Sequence, residues 1–354
     1  MSAKRYGYLA VLLVPALPPI SAWLGLISGQ ADAFAWFPLG FLFVLLPIAD
    51  YLVGRDPANP QDDATAQQLE NEVGYRILTL ACVPIFLALL AWSGWWFVHA
   101  DFNAAGKFGW LISQGVIGGV MAINIAHELI HKGGRVEPLA GGLLLASVCY
   151  GTFKVEHLRG HHVHVSTPAD ASSARLGQNV YGFVMQSVPR NFANAWRMEA
   201  ERLARRGLRW WHWRNELCWW SALSLLICGT FGLWLGAAGV GYFLAQSLGA
   251  FVSLEIINYI EHYGLERREI APGRFERTTH LHSWNSNYLL TNLMLFQLQR
   301  HSDHHENARR RYQALRHYDA SPQLPGGYAA MFALALLPPL WFAVVNPRVP
   351  KHAE

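Results

Sequence analysis

The sequence predicts an all-α integral membrane protein with six transmembrane helices, a histidine-rich cytoplasmic region and additional interfacial helices. Three observations predict this fold class. Of the 354 residues, 52% are hydrophobic and only 15% are charged. The apolar residues gather in runs of about 20, which at ~1.5 Å per residue cross a hydrocarbon core of ~30 Å. Lys and Arg concentrate in two long segments. A single membrane-embedded domain is therefore expected over residues 1–354.

Six apolar runs are the candidate spans, and each is nearly free of charge. They are residues 6–28, 35–53, 75–99, 108–131, 217–235 and 240–262. The first run is too long for a signal peptide and has no small-residue cleavage pattern behind a short apolar core, so we expect it to be retained. Pro15, Pro18 and Pro19 are expected to kink this helix.

The distribution of positive charge predicts the orientation of the chain. Of the 28 Lys and Arg residues, 12 lie between Lys132 and Arg214 and 11 lie after His262, whereas the short connections on the other side contain only Lys107. The positive-inside rule places segments 132–214 and 263–354, and both termini, in the cytoplasm. We therefore expect a multi-pass protein of a bacterial-type inner (cytoplasmic) membrane.

Two shorter apolar runs are ambiguous by hydropathy. If residues 139–153 crossed the membrane, the histidines before and after the run would face opposite compartments, so we expect this run to dip into the membrane or lie along its surface. The run 328–345 contains Pro338 and Pro339 and is expected to form an interfacial or partly buried helix. Residues 57–69, rich in Pro, Asp, Gln and Ala, are expected to form a cytoplasmic loop.

The cysteines are unlike those of a disulfide or metal scaffold. There are four, they lie in or beside the apolar runs, and no two form a CxxC pair; they are Cys82, Cys149, Cys218 and Cys228. This spacing argues against a disulfide framework, a zinc ribbon or an iron centre held by paired cysteines. The sequence also has no motif that reads nucleic acid.

Histidine carries the functional signal, with 16 residues in the chain. Four groups lie at the ends of spans or in polar segments, and in three of them the spacing of i, i+3, i+4 or i+5 brings side chains to one helix face. Nine imidazoles are expected to converge on one membrane face: His127, His131, His157, His161, His162, His262, His301, His304 and His305.

Nine imidazoles exceed what one metal ion accepts and match two ions, and imidazole suits iron, copper and zinc. The string at His127 and His131 also satisfies the HExxH pattern of zinc proteases, with Glu128 as the general base. A single-zinc site uses three protein ligands, however, and would leave most of these histidines unexplained.

Several neighbouring residues are candidates to orient the imidazoles. Acids adjoin each histidine group and could accept hydrogen bonds from the ring N–H groups. His282 is expected near the site because it precedes a Ser-Trp-Asn-Ser-Asn turn with a buried character. The predicted outer partners are Glu128, Glu156, Glu261, Asp303 and His282.

Four strings of the chain resemble the signature blocks of the integral-membrane alkane 1-monooxygenases, a branch of the membrane fatty-acid desaturase and hydroxylase superfamily. They are HELIHK (127–132), EHLRGHH (156–162), NYIEHYGL (258–265) and LQRHSDHH (298–305), and the likeness runs from about residue 47 to residue 347. The last two strings are the more specific, since histidine boxes alone indicate only the superfamily. One departure is His280-Leu-His282, where the family pattern leads us to expect an adjacent pair of histidines.

The resemblance implies a non-haem di-iron monooxygenase with the nine histidines as ligands of two iron ions. It further implies O2 as the oxidant and rubredoxin as the electron donor, reduced in turn by an NAD(P)H-dependent rubredoxin reductase. The implied reaction converts the terminal methyl group of a medium- or long-chain n-alkane into a primary alcohol.

An alkane dissolves in the bilayer and can enter such a protein between its helices. Because lipid solvates the chain as well as protein does, selectivity must be steric. Candidate channel residues are Leu42, Phe43 and Leu46, and Gly115, Gly118 and Gly119 are candidates for channel lining or close packing. Arginine runs at 202–209 and 309–311 would complement either an acidic electron donor or anionic lipid, and the sequence leaves both explanations open.

Two other functions stay open at this point. The same scaffold supports related di-iron chemistry, either hydroxylation of a methyl group on xylene-like substrates or desaturation of an acyl chain, and only product analysis separates these. The other open function is that of a histidine-rich metal transporter. Transporters place ionisable ligands near the bilayer midplane, whereas these histidines lie at span ends and in loops.

Overall fold

The computed structural model describes residues 2–350, and helices account for most of them. Four long apolar helices are joined to shorter ones by brief connections. In chain order the helices are α1 Lys4–Ser28, α2 Ala31–Phe34, α3 Phe37–Val53, α4 Asp63–Asn71, α5 Val73–His99, α6 Ala104–Ile130, α7 Val136–Ala146, α8 (residues 152–164), α9 Val180–Ala204, α10 Glu216–His262, α11 Leu289–Met294, α12 His301–Glu306, α13 Tyr328–Ala335 and α14 Pro338–Val345. Strands β1 Glu269–Ala271 and β2 Arg274–Phe275 form a small antiparallel hairpin.

Within the described residues, four helices are long and apolar enough to cross a membrane, namely α1, α5, α6 and α10. They coincide with predicted spans, and they confirm that the chain is mostly helical and has several apolar helices that could span a membrane. The predicted span 35–53 corresponds to α3, which has 17 residues. At 1.5 Å per residue this helix is about 25 Å long, slightly less than a typical hydrocarbon core. The exact count of six crossings stays a prediction.

Helix α10 has 47 residues but is not straight, because Gly236 interrupts it with φ 67° and ψ −159°. The ring centroid of Phe231 lies 5.5 Å from that of Phe243. In a straight helix, residues 12 positions apart would be separated by about 18 Å. The chain therefore reverses at Gly236, where a left-handed φ favours glycine. The two segments of α10 correspond to the separate helices predicted at 217–235 and 240–262.

The two ambiguous apolar runs form short helices. Within the run 139–153, helix α7 ends at Ala146 after 11 residues, and Cys149 turns the backbone with φ 53°. A helix of about 16 Å is too short to cross a bilayer, as expected for this run. The run 328–345 divides into α13 and α14 just before Pro338, and several of its side chains are buried in the protein.

The expectation of a loop over residues 57–69 is wrong in its second half, where α4 begins at Asp63. The Asp62 side chain accepts a hydrogen bond from the backbone N–H of Thr65 at 2.7 Å and so caps the helix. A strong N-cap followed by good helix formers explains the difference, since low hydropathy alone does not exclude a surface helix.

Helices α6 and α10 approach each other closely through glycine. A Cβ atom added to Gly115 would lie 2.7 Å from the Cα of Gly249, and one added to Gly118 would lie 3.1 Å from the Cβ of Ala250. Small residues of this kind allow helices in membranes to pack backbone against backbone. Gly115 and Gly118 are therefore packing positions, and the contact fixes how His127 and His262 at the ends of these helices face each other.

Candidate metal centre and adjoining cavity

All nine predicted histidines come together in the structure, and they form two groups. The donor nitrogens within each group lie within 4.8 Å of one another. The first group contains His127, His131, His157, His162 and His304, and the second contains His161, His262, His301 and His305. Eight of the nine rings are buried, and that of His162 is half-buried.

The Nε2 atoms point towards a common centre in each group. In the first group, the Nε2 atom of His157 lies 3.0 Å from that of His131 and 3.0 Å from that of His162. In the second, the Nε2 atom of His301 lies 3.2 Å from that of His262 and 3.0 Å from that of His305. Metal–imidazole bonds are about 2.1 Å long, so donors on one ion are separated by about 3–4 Å. Each group has the dimensions of one metal site.

Four segments supply these side chains. Helix α6 ends at its two histidines, the second segment of α10 ends at His262, and α8 and α12 bring the remaining six. Residues 157–161 form a π-helical turn, so the i, i+4 and i+5 histidines of α8 divide between the two groups. Helix α12 divides its histidines in the same way. The two groups thus share α8 and α12 and lie side by side.

The protonation and bonding of the rings fit metal binding. Burial lowers the pKa of His304 and of His305 well below the ordinary value, so both imidazoles are neutral, the form that binds metal ions. Among the described residues 2–350, the buried Nε2 atoms of His127 and His161 have no hydrogen-bond partner. Buried polar atoms rarely lack a partner, and a bound metal ion would supply one to each of these two nitrogens. The donor set therefore fits two metal ions.

Asp170 orients one of the imidazoles, a role that the sequence did not predict for it. Its Oδ2 atom lies 3.0 Å from Nδ1 of His161, and it accepts a hydrogen bond from Ser173 Oγ at 2.6 Å. Burial tends to raise the pKa of Asp170, but the adjacent His161 and these hydrogen bonds lower it to about 2. The carboxylate is thus ionised and holds His161 with Nε2 facing the second group. The available signal was the Asp-x-Ser-Ser turn nine residues after His161.

Three of the four predicted acids do not contact an imidazole. Glu128 lies 3.0 Å from Lys132 Nζ, and Asp303 accepts two hydrogen bonds from Arg310, the shorter at 2.5 Å. Each acid follows or precedes a ligand by one position, and neighbours on a helix point about 100° apart, so these carboxylates face other partners. Burial, together with the negative charge of Asp170, raises the pKa of Glu156 to about 8. Glu156 is therefore mostly protonated at neutral pH and is a poor partner for an imidazole N–H.

Glu261 and His282 also lie differently from the prediction. Glu261 Oε2 is 3.3 Å from Nε2 of His301, the nitrogen that faces the other donors, so this carboxylate lies on the metal side of the ring. The His282 ring turns away from both groups. Its Nδ1 accepts a hydrogen bond from the N–H of Thr279 at 3.0 Å, and its Nε2 lies 3.3 Å from Glu276. His282 is near the site through its backbone, since the next residue, Ser283, lies beside His262.

An apolar cavity of about 90 Å³ adjoins the histidines. His127 and His157 of the first group and His301 of the second form part of its wall. All three residues predicted for a channel also line it, and Leu42 and Leu46 are buried. The other apolar lining residues include Val116, Leu254, Ile257, Met294, Leu298 and Phe332.

Three π-helical turns adjoin this cavity, at residues 41–45, 119–124 and 157–161. Each contributes at least one lining residue, such as Phe43, Gly119 and His157. A π-turn accommodates an extra residue and rotates the side chains that follow, and it is frequent at functional sites. Phe43 is held by its ring partner Phe332, with centroids 4.8 Å apart.

Removal of the Asp170 charge is expected to weaken the second metal group. In Asp170→Asn the ring of His161 loses its anionic partner, so we expect the affinity of that group for iron to fall about 10–100-fold. The measurement is the iron retained after dialysis against chelators of increasing strength. The control is Asp319→Asn, since Asp319 also pairs with a histidine, His317 at 2.9 Å, outside both groups. Chelator resistance equal to that of the unaltered protein would contradict the role of Asp170.

Comparisons with known proteins agree with this geometry. Residues 103–335 match the family model described as fatty acid desaturase. The chain is 55% identical to alkane 1-monooxygenase 2 of Pseudomonas aeruginosa, with 98% of this chain and 92% of the relative covered. It is 54% identical to alkane 1-monooxygenase 2 of Alcanivorax borkumensis, with 100% and 93% covered. A more distant relative is the hydroxylase component of the xylene/toluene monooxygenase of Pseudomonas putida, 30% identical over 67% of this chain and 63% of the relative.

The matches include every histidine of the two groups, since residues 103–335 contain all nine. Identity above 50% over nearly the whole length of both chains is far beyond what a shared fold alone requires. The chain therefore belongs to the fatty acid desaturase family and, within it, to the alkane 1-monooxygenases.

Proposed function

We propose that this protein is a non-haem di-iron monooxygenase that hydroxylates the terminal methyl group of medium- and long-chain n-alkanes. In the balanced reaction, one atom of O2 enters the 1-alkanol and the other leaves as water, with two electrons and two protons consumed. The observation that carries the proposal is the apolar cavity, whose wall includes histidines of both groups. The similarity to proteins named alkane 1-monooxygenase supports the same substrate class.

The protein contributes position and shape to this reaction. The nine imidazoles would hold two iron ions, and Asp170 fixes the orientation of His161. Iron bound in this way supplies the activation of O2 that an unactivated C–H bond requires. The cavity directs one end of a substrate chain towards His127, His157 and His301. A terminal carbon held there would be oxidised in preference to inner carbons because the walls prevent the chain from lying sideways.

The cavity wall offers little for a polar substrate. The amide of Asn124 donates to the Leu295 carbonyl at 3.2 Å, and that of Asn258 donates to Glu255 at 3.4 Å, so both are occupied by the protein. Most other lining side chains are apolar. Lipid already solvates an alkane, so the cavity selects by length and width more than by affinity.

Electrons are proposed to come from rubredoxin, reduced by an NAD(P)H-dependent reductase. Three arginines of the predicted basic runs form ion pairs within the protein: Arg202 with Glu199, Arg310 with Asp303, and Arg311 with Glu137. Arg309 remains exposed three residues after α12, the helix that carries His301, His304 and His305. Electron transfer requires a short path, so the donor must dock near the histidines. The exposed positive charge favours an acidic donor on this surface.

The β1–β2 hairpin would extend that donor surface. The exposed arginines in and beside it are Arg268, Arg274 and Arg277, and Arg268 lies 3.7 Å from the carboxylate of Glu276. The segment that follows the hairpin contacts the end of α12, where His280 Nδ1 lies 3.5 Å from the carboxylate of Glu306. The four exposed arginines at 268, 274, 277 and 309, here called the donor arginines, would together complement an acidic protein.

The proposed topology has six crossings, with both termini and segments 132–214 and 263–354 in the cytoplasm of a bacterial-type inner membrane. The convergence of α6, α8, α10 and α12 on one site supports it, because residues that share a site lie on one side. Reporter tags inserted in the segment 205–209 and after residue 350 are therefore expected to give cytoplasmic signals. Opposite signals from the two positions would contradict this topology.

The experiment that tests the activity combines metal analysis with product analysis. The purified protein is expected to contain two iron ions per chain and to form 1-alkanol from an n-alkane when rubredoxin, its reductase and NAD(P)H are supplied. Incubation with xylene and with an acyl substrate, followed by mass spectrometry, compares the two related reactions. A desaturated acyl product, or a preference for xylene over every n-alkane, would overturn the proposal. Zinc in place of iron, without any oxidised product, would do so as well.

A further inference from the structure

An exposed loop rich in arginine and tryptophan connects α9 to α10. Residues 205–214 read RRGLRWWHWR and are here called the Arg/Trp loop. The indole side chains are largely exposed, at 53% for Trp210, 55% for Trp211 and 67% for Trp213. The four arginines of the loop are exposed as well. Exposure of three large aromatic side chains to water is unfavourable in free energy. We therefore expect a partner to cover this loop.

The positive charge of the loop is not neutralised by its neighbours. Glu199 is bound by Arg159 at 2.7 Å and by Arg202 at 2.5 Å. Glu216 is bound by Lys154 at 2.8 Å and by Arg159 at 3.0 Å. Within residues 2–350, Arg205, Arg206, Arg209 and Arg214 therefore form no ion pair, and their charge is available to an anionic partner.

The first segment of α10 shows where this loop lies relative to the membrane. Its outward face is apolar, with Leu225 exposed by 72% and Leu233 by 95%. Exposed tryptophans mark both ends of this face, Trp219 and Trp234, which are about 22 Å apart along a helix. Tryptophan prefers the two membrane–water interfaces, so this segment faces lipid and Trp219 lies at one interface.

The Arg/Trp loop lies at the same level as Trp219. The indole N–H of Trp219 donates a hydrogen bond to the backbone carbonyl of Trp213 at 2.7 Å. The guanidinium group of Arg209 lies 5.1 Å from the ring centroid of Trp211, and that of Arg214 lies 5.2 Å from that of Trp213. Arginine and tryptophan thus stand side by side, which matches a layer where phosphate groups and the upper parts of acyl chains are mixed.

We propose that the Arg/Trp loop binds anionic phospholipid head groups of the leaflet from which α10 enters the membrane. The arginines pair with the phosphates, while the indoles lie among the glycerol groups and upper methylenes. An acidic protein would match the charge, but not three exposed indoles that continue a lipid-facing helix. This lipid contact would anchor the end of α9, whose Arg202 donates a hydrogen bond to the Arg214 carbonyl at 2.8 Å.

The experiment counts lipids retained by the purified full-length protein. The protein in an uncharged detergent is titrated with phosphatidylglycerol or with phosphatidylcholine of the same acyl chains, and native mass spectrometry gives the number bound per chain. We expect a preference for phosphatidylglycerol that weakens as salt rises from about 0.05 to 0.5 M. The variant with Arg205→Gln, Arg206→Gln, Arg209→Gln and Arg214→Gln should lose this preference, with about fivefold weaker binding for each arginine removed.

Two matched variants make the result specific. Replacement of the same four arginines by lysine retains the charge and is expected to retain the preference. Replacement of the four donor arginines by glutamine removes equal charge elsewhere. It should leave phosphatidylglycerol binding unchanged while raising the rubredoxin concentration needed for half-maximal activity.

Three outcomes would overturn the proposal. The first is equal retention of the two lipids by the unaltered protein, a measurement that does not depend on any variant folding. The second is unchanged phosphatidylglycerol binding in the four-glutamine variant. The third is a weaker interaction of that variant with rubredoxin at unchanged lipid binding, which would assign the loop to the protein partner. None of these lipid measurements depends on the substrate of the enzyme, so they stand apart from the test of the proposed activity.

Discussion

Replacement of His262 by alanine is expected to lower bound iron from two ions to one per chain. His262 is fully buried, and its Nε2 atom lies 3.2 Å from that of His301 within the group of four. The variant leaves three imidazoles in that group and leaves the five of the first group intact. Loss of a residue that only orients a metal ligand lowers activity roughly 10–100-fold. Loss of a ligand itself should lower activity by at least as much.

Metal analysis and Mössbauer spectroscopy of iron-loaded protein would check this result without reliance on activity. The expected spectrum shows the signal of one iron site in place of two. His280→Ala is the matched control, because the His280 ring stacks on Tyr318 with centroids 4.8 Å apart and belongs to neither group. Two irons per chain in His262→Ala would show that His262 is not a ligand, although it lies within the second group.

Leu42→Trp is expected to shorten the longest n-alkane that the enzyme accepts by several carbons, while turnover of short alkanes stays nearly unchanged. Leu42 lines the apolar cavity and is only 5% exposed, so a larger side chain there enters the space that a long substrate would fill. Added methylenes gain little free energy on passing from lipid to protein, so the position of a steric stop decides the length limit. Product yields across a series of n-alkanes give the length profile.

Val44→Trp is the control for this variant. Val44 lies in the same π-helical turn but is 56% exposed and does not line the cavity, so its replacement should leave the length profile unchanged. A uniform loss of activity at all lengths in Leu42→Trp would identify Leu42 as a packing residue. An unaltered profile would mean that the length limit is set by another helix.

The residues that meet in the site were largely predictable because histidine is rare in apolar segments and its spacing is helical. His127 and His131, for example, are four positions apart, and only their shared helix face had to be assumed. The cavity positions Leu42, Phe43 and Leu46 were also predicted, and they do line the cavity. The spacing could not assign the histidines to two groups. That division depends on the π-turn at 157–161 and on α12, because each of them directs neighbouring histidines to different groups.

The outer partners were predicted poorly. Closeness in sequence suggested that Glu128 and Asp303 support the imidazoles. In the structure Glu128 pairs with Lys132 and Asp303 pairs with Arg310 instead. The acid that does hold a ligand, Asp170, lies in a polar loop nine residues after His161. Such pairs form between segments whose relative placement is set by packing, so no local pattern predicts them reliably.

The sequence by itself determined the class of the protein: apolar runs of membrane length, helices with histidines at their ends, and enough imidazoles for two metal ions. These properties depend on composition and on spacing within one helix, and both are local. Only the tertiary structure decided which imidazoles share a centre, where the chain reverses at Gly236, how closely α6 and α10 pack at Gly115, and which acid orients His161. These features depend on contacts between segments distant in the chain, which arise when the helices bury their surfaces against one another.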